Sequence, residues 1–265
     1  MTAKRKKKRK LKKKFIVVCA IFSAVVLVFA GIWAAMKFVP GINFLPVSKI
    51  VITGDMPYSA EIIAEASEIK IGTGIFKFDF GRTEKKIEGN LPYVKDAKLS
   101  YSLNGELKIH ITGEKEAYSV KHNGFYLLMN ESFKILDSVG SSKDTLMLIY
   151  GVETLSNESG SIGLDENDEK VKLALKIEKI LKENGLTVGV IDLSDTDDIK
   201  LVYQNRFIVE LGTEKQLEDK IKMLKTITAD IKPDEKGRIL LKYWSDEDRQ
   251  GSVINENVDI YINKY

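Results

Sequence analysis

The sequence contains one cysteine and two histidines. These low counts argue against a disulfide-stabilised fold and against a typical zinc site. The single cysteine, Cys19, lies inside an apolar run, so no disulfide can form in the part that follows. About 220 residues can bury a sufficient core without disulfides, so that part is expected to fold by packing alone. The two histidines, His110 and His122, cannot assemble a typical zinc site without cysteine ligands.

Motifs of catalysis are also missing. The segment 72–74 lacks the third glycine and the preceding strand of a dinucleotide loop. No phosphate-binding loop, G-x-S-x-G elbow or well-placed S-x-x-K occurs. Residues 165–169 offer alternate oxygens as a calcium loop does, but Lys170 stands where that loop requires glycine, so helix capping is favoured. We therefore expect no catalytic residue, no metal site and no cofactor.

The most prominent feature present is one long apolar run. Residues 15–36 carry no charge, and at about 1.5 Å of rise per residue they span the roughly 30 Å hydrocarbon core as one helix. A cleavable signal peptide would have a shorter apolar region, although Ala34 and Ala35 could imitate a cleavage site. A buried core helix would need a larger protein around it. The pattern favours a retained transmembrane helix.

Positive charge is concentrated ahead of this helix. Residues 1–14 include ten Lys or Arg, which predicts a cytoplasmic tail that contacts anionic lipid, with everything after the helix on the other side of the membrane. Without the tail the chain has 31 basic and 38 acidic residues, a net charge of −7. Nucleic-acid binding needs a basic surface on the folded part, so no nucleic-acid partner is expected, although the overall pI is near 8.6.

A stalk at 37–46, broken by Pro40 and Pro46, leads into a first folded domain at 47–115. Ser59 is placed to cap a helix, and Asn104-Gly105 to join two strands. The predicted segments are a strand at 49–53, a helix at 59–69, an extended piece at 75–80, a helix at 82–90, and strands at 94–102 and 106–112. Helices would then cover one face of a three-stranded sheet.

A second domain is expected at 116–265, with mixed strands and helices. Its first helix opens near Asp165, and Gly185 follows its end. The apolar stripe of that helix is Leu173, Ile177, Ile180 and Leu181. A further helix is predicted at 215–227. Strands are predicted at 117–121, 125–129, 146–150, 188–193, 199–203, 206–211, 238–244 and 258–262. The fold class is therefore α+β, after a single N-terminal transmembrane helix.

Several segments carry a family resemblance. VSKIVITG at 47–54, LPYVKDA at 91–97 and LKIHI at 107–111 resemble the POTRA domain, of β-α-α-β-β order, in the FtsQ/DivIB family of bacterial cell-division proteins. In the second half, YLLMN at 126–130 and ILLKY at 239–243 are similar to segments of that family's beta domain. The sequence departs from the family pattern at 114–117, which lacks the usual Arg and Pro, and at Leu240 and Lys242, which replace Asp and Arg.

This resemblance implies a non-enzymatic scaffold of the division septum, which binds FtsL-like and FtsB/DivIC-like partners in the cell membrane and helps regulate septal peptidoglycan synthesis. In the family, the late strand of the beta domain receives a strand from the small partner. The corresponding residues here are Arg238, Ile239, Leu240, Leu241, Lys242, Tyr243 and Trp244. Aromatic residues often anchor interfaces, but Tyr243 and Trp244 could equally close the core.

The sequence is compatible with two other classes of protein. A POTRA-bearing assembly or secretion component would need many alternating strands for a barrel, which the C-terminal half lacks. A membrane-anchored cell-wall enzyme would show hydrolase activity in its outer part. The order of tail, anchor, POTRA domain and beta domain favours the scaffold over both.

Overall fold

The computed structural model describes residues 3–38, 44–243 and 251–265. The chain opens with helix α1, Ala3–Phe38. Within it Ile16–Ala34 has a mean hydropathy of 2.8 and no burial, and in the described part of the chain only this helix is long and apolar enough to cross a membrane. This confirms the predicted N-terminal apolar helix. Residues 39–43 of the predicted stalk lie outside the described residues.

The chain forms two units. The first contains Met1–Glu88 and Val94–Gly113, and the second contains Gly89–Tyr93 and Glu114–Tyr265. After α1, the elements that begin in the first unit are β1 (Lys49–Gly54), α2 (Ala60–Ser67), a 3-10 turn (Ile75–Lys77), α3 (Phe80–Asn90), β2 (Val94–Tyr101) and β3 (Glu106–Gly113). The predicted β-α-α-β-β order is confirmed. The extended piece predicted at 75–80 is wrong, because a 3-10 turn stands there and α3 already begins at Phe80.

The sheet of the first unit has the order β1-β3-β2. The central strand β3 runs parallel to β1 and antiparallel to β2. Its alternate residues Leu107, Ile109 and Ile111 are at most 1% exposed, as expected for a strand with one face against a core. The predicted cap on α2 is confirmed, since the Ser59 side chain accepts a hydrogen bond from the Ile62 amide.

The second unit contains a nine-stranded mixed sheet. Its elements are β4 (Tyr118–His122), β5 (Phe125–Met129), β6 (Ile135–Val139), β7 (Met147–Tyr150), α4 (Glu169–Glu183), β8 (Val190–Asp192), β9 (Ile199–Tyr203), β10 (Phe207–Gly212), α5 (Leu217–Asp230), β11 (Gly237–Leu240), β12 (Ser252–Asn255) and α6 (Asp259–Ile262). The strand order is β12-β11-β10-β9-β8-β7-β4-β5-β6. The α+β fold class is confirmed.

The two faces of this sheet are covered differently. One face packs against α4 and α5 in a large core, where the predicted stripe of α4 is buried. The other face carries a smaller apolar cluster: Tyr126, Leu148, Val190, Val202, Ile208 and Val258. Of these, Val258 alone belongs to the segment 251–265, which we call the cover segment. The part of the cover segment that follows β12 thus packs on the face opposite the two helices.

Capping fixes the start of α4. The Asp168 carboxylate accepts hydrogen bonds from the amides of Lys170 at 2.9 Å and Val171 at 3.1 Å. These are donors that the first turn of a helix leaves without an intrahelical partner. The capping interpretation of residues 165–169 is therefore confirmed, but the predicted start near Asp165 is wrong, because Asp168 is the cap and the helix begins at Glu169.

Two predictions about the end of the chain are wrong. The strand predicted at 258–262 is the short helix α6, preceded by the unpredicted strand β12. The strand predicted at 238–244 ends at Leu240, and Lys242 and Tyr243 lie in a turn. Trp244 lies outside the described residues.

Candidate partner-binding surface

The predicted binding strand, β11, is hydrogen-bonded on both sides. It runs parallel to β10, where Ile208 pairs with Arg238 and Glu210 with Leu240. On its other side it runs antiparallel to β12, where Arg238 pairs with Ile254. In the part of the chain that the structure describes, β12 is therefore the end strand of the sheet beside β11.

The residues of the predicted site divide between the two faces of the sheet. Ile239 and Leu241 are fully buried in the core beneath the helices. Arg238 and Leu240, which alternate with Ile239 along β11, are only partly buried on the other face. Tyr243 lies in the turn after the strand and is 72% exposed. The Tyr243 ring therefore does not close the core.

A buried carboxylate organises the other face of β11. Glu210 on β10 has a side chain only 3% exposed, and it pairs with Arg238 Nη1 at 2.9 Å and with Lys242 Nζ at 2.5 Å. Burial alone would raise the pKa of Glu210, but the hydrogen bonds with Lys242 and Arg238 outweigh it and lower that pKa. The two cations of the predicted site are thus both held by one residue of the neighbouring strand.

Arg238 also contacts the cover segment. Its Nε pairs with the Glu256 carboxylate, and its guanidinium lies 4.4 Å from the ring centroid of Tyr261. A second ion pair joins Lys236 Nζ and Asp259 Oδ1 at 3.2 Å. Arg238 therefore joins the sheet to the cover segment: it pairs with Glu210 in the sheet and with Glu256 in the cover segment.

The far end of the cover segment is attached to β8. Asp192 Oδ2 accepts from Lys264 Nζ at 2.9 Å and from the Tyr265 hydroxyl at 2.6 Å, and Asp192 Oδ1 accepts from the Ser194 hydroxyl at 2.6 Å. Burial alone would raise the pKa of Asp192, but the hydrogen bonds from Lys264, Ser194 and Tyr265 outweigh it and lower that pKa to about 2. The carboxylate is therefore charged at neutral pH.

Two further hydrogen bonds hold the same end. Lys121 Nζ donates to the Lys264 carbonyl at 2.7 Å, and the Tyr126 hydroxyl donates to the Tyr265 carbonyl. The rings of Tyr150 and Tyr265 meet edge to face, with centroids 5.2 Å apart. The cover segment is thus anchored at both ends and through Val258, which is fully buried.

Apolar side chains remain exposed around this end of the sheet. They belong to the turn after β11, to β12 and to α6: Tyr243, Val253, Ile254, Ile260 and Tyr261. Exposed apolar groups beside an end strand are the usual features of a surface that another chain extends.

The histidines take part in ordinary polar contacts. His110 Nδ1 lies 3.1 Å from Thr53 Oγ1, and His122 Nδ1 lies 2.7 Å from Thr154 Oγ1. Within the described ranges, no group of three or more His, Cys, Asp or Glu side chains is placed to hold a metal ion.

Sequence reasoning missed the whole contribution of the cover segment. Its weak signal was the pair of β-branched residues Val253 and Ile254 between polar neighbours, which is too short to distinguish a strand from a loop. Glu256 lies 18 residues from its partner Arg238, and Asp192 lies more than 70 residues from its partners Lys264 and Tyr265, so no local sequence pattern connects these pairs.

These features define a class of protein: a single-pass membrane protein in which one apolar N-terminal helix precedes a small βααββ domain and a larger mixed-sheet domain. Residues 45–112 match the model of the FtsQ-type POTRA domain, and residues 117–244 match that of the C-terminal region of cell division protein FtsQ/DivIB. The chain belongs to the FtsQ/DivIB family of cell-division proteins.

Similar proteins with curated names agree with this assignment. The chain is 29% identical over 244 residues to a cell division protein DivIB of Clostridium botulinum strain Hall, which covers 90% of this chain and 91% of the relative. It is 22% identical over 181 residues to a DivIB of Clostridium tetani, with 67% and 68% covered. Membership of this family implies protein partners in the cell-division complex.

Proposed function

We propose that this protein is a non-enzymatic scaffold of the division septum that binds and stabilises FtsL-like and FtsB/DivIC-like partners and helps regulate septal peptidoglycan synthesis. Its first 14 residues form the cytoplasmic tail, residues 15–36 the membrane span and 37–46 the stalk. The POTRA domain at 47–115 and the beta domain at 116–265 lie outside the cytoplasm.

The basic tail supports this orientation. Ten Lys or Arg among residues 1–14 bias the N-terminus toward the cytoplasm and toward anionic lipid. The helix confines the outer domains to the membrane plane, where the effective concentration of partners anchored in the same membrane is high. Weak contacts between the outer domains then suffice for assembly.

The observation that carries the proposed binding site is the end of the nine-stranded sheet at β11 and β12. Exposed Tyr243 follows β11 there, and Arg238 and Lys242 are oriented by Glu210. Extended segments add to such sheet ends by backbone hydrogen bonds, and neighbouring side chains give specificity. We place the partner-binding site at residues 238–244 and their surroundings.

The test is co-purification from detergent-solubilised membranes. The intact protein is compared with a Tyr243→Ala, Trp244→Lys double variant, and Phe125→Ala serves as the matched control because Phe125 is also an exposed aromatic, 57% exposed, on β5. We expect a small coiled-coil division partner with the intact protein and the control, and its loss with the double variant. Recovery of no division protein with any form would contradict the scaffold function.

Circular dichroism checks that the double variant is folded. If it is folded and retains the partner, the site is elsewhere, and the POTRA domain becomes the next surface to test.

A further inference from the structure

We propose that the surface beneath the cover segment is the docking surface for an extended partner segment, and that the cover segment occupies it in exchange with that partner. This rests on the proposed function, in which a partner adds a strand at this end of the sheet. The strand that a partner would contribute to β11 is already supplied by the chain itself, as β12.

The strand part of the cover segment is replaceable. All four residues of β12, Ser252–Asn255, are exposed, so none of their side chains is buried in the core, and the pairing with β11 depends mainly on the backbone. Any extended sequence can supply the same backbone hydrogen bonds.

The residues after the strand define the chemistry of the occupant. Glu256 follows the strand directly and pairs with Arg238. Val258, two residues further on, is fully buried in the apolar cluster of this face. A competing partner therefore needs a short extended segment antiparallel to β11, then a carboxylate, and then an apolar side chain of similar size.

The acceptor side is preorganised for exchange. Arg238 keeps its contact with Glu210 when Glu256 leaves, because Glu210 belongs to β10 and not to the cover segment. The guanidinium thus stays oriented toward the position of the incoming carboxylate, which reduces the ordering cost of binding. Since the surface is accessible only while the cover is displaced, occupancy by the cover lowers the apparent affinity of a partner.

The experiment opens the cover in the full-length protein in detergent. Val258→Asp places a charge in the apolar cluster, and Ile260→Asp is the matched control because Ile260 is 82% exposed two residues away. The probe is a fluorescent peptide with the sequence of residues 251–265. We expect faster amide exchange in residues 238–240 with Val258→Asp and at least about tenfold tighter peptide binding than with the intact protein or the control.

A second substitution locates the peptide. A Cβ added at Gly237 would lie 1.9 Å from the Ile254 carbonyl oxygen, so Gly237→Ala obstructs the strand position beside β11 for the cover and the peptide alike. The peptide should bind Val258→Asp and fail to bind the Val258→Asp, Gly237→Ala double variant, with both folded by circular dichroism. Equal binding to the two variants would place the peptide elsewhere and overturn the proposal.

Other outcomes are equally informative. If Val258→Asp does not fold, Glu256→Lys opens the cover by reversing the charge opposite Arg238, and the same gain in peptide binding is required. If an opened, folded variant dimerises by light scattering and binds no peptide, the surface accepts a second copy and the proposal is wrong. Because the peptide assay contains no division protein, its result is independent of the co-purification that tests the proposed function.

Discussion

Arg238 on β11 and Glu210 on the parallel strand β10 form an ion pair of 2.9 Å in which the Glu210 side chain is 3% exposed and the Arg238 side chain 26% exposed. The charge on Glu210 is thus removed from water, whereas the side chains of Arg238 and Lys242 remain partly exposed to solvent. A buried carboxylate of this kind is costly unless it is paired. The orientation of Arg238 and Lys242 is therefore fixed by Glu210, whose own position is fixed by burial in the sheet.

Replacing Glu210 with Gln should lower the free energy of unfolding by about 1–3 kcal/mol at pH 7, because hydrogen bonds with a charged acceptor are lost. The native pKa of Glu210 is lowered, so this stabilisation is present above the unfolded pKa and is lost as the pH falls through the native value. Urea unfolding followed by circular dichroism at a series of pH values measures both effects.

The control for this substitution is Glu214→Gln. Glu214 pairs with Lys176 at 3.4 Å, and both side chains are more than half exposed, so the change should stay within about 0.5 kcal/mol. Equal losses from the two variants would show that the Glu210 pairs add no more than a surface ion pair.

Replacing Asp192 with Asn should loosen the far end of the cover segment. The native pKa of about 2 is below the ordinary aspartate value of 3.8, so the charged form contributes about 2 kcal/mol of stability at neutral pH. That contribution is complete above about pH 5 and disappears as the pH falls toward about 2.

Amide exchange of residues 259–265 in the full-length protein measures this effect. It should be faster in Asp192→Asn at pH 7 and unchanged in Asp197→Asn, whose carboxylate is exposed five residues away. Identical exchange in the two variants would contradict an anchoring role for Asp192.

Ser119 on β4 should be replaceable by Ala without loss. Its hydroxyl oxygen is buried and has no hydrogen-bond partner among the described residues. An unsatisfied buried hydroxyl is unfavourable, so Ser119→Ala should leave the free energy of unfolding unchanged or raise it by up to about 1 kcal/mol. Ser161→Ala is the comparison, because the Ser161 hydroxyl donates to the Glu158 carbonyl at 2.6 Å, and it should lose about 0.5–1.5 kcal/mol.

Lys220 on α5 should be sensitive to replacement by Met. It is 2% exposed, and its Nζ donates to the carbonyls of Leu211 at 2.7 Å and Thr213 at 3.0 Å. Met would leave these acceptors without that donor, at a cost of about 1–3 kcal/mol in the free energy of unfolding. Lys222→Met, on the same helix but exposed, should change it by less than about 0.5 kcal/mol.

The pH dependence of the Lys220 effect has a definite sign. Burial lowers the pKa of Lys220, so the native protein releases this proton at a lower pH than the unfolded chain does. The stability of the unsubstituted protein relative to Lys220→Met should therefore rise as the pH is raised from neutral toward 10. A difference that stays constant over that range would show that the native pKa is not lowered.

Elements with a strong local signal were predictable. The Ser59 cap, the turn at Asn104-Gly105 and the stripe of α4 each depend on residues close together in sequence. The failures occurred where a local pattern was ambiguous. The apolar residues of 258–262 fit a strand or a helical turn equally well, and the packing of Val258 on the sheet favours the turn.

The apolar N-terminal helix, the POTRA domain and the C-terminal domain after it, and the family could all be read from the sequence, because helix length, hydrophobic period and turn chemistry are local properties of the chain. Three features became visible only in the folded chain: β12 pairs with β11, Glu210 holds Arg238, and Asp192 holds the end of the cover segment. Those pairings join residues up to 73 positions apart. These contacts form only when the fold brings distant residues together, where burial and charge pairing stabilise them, so no local sequence pattern can specify them.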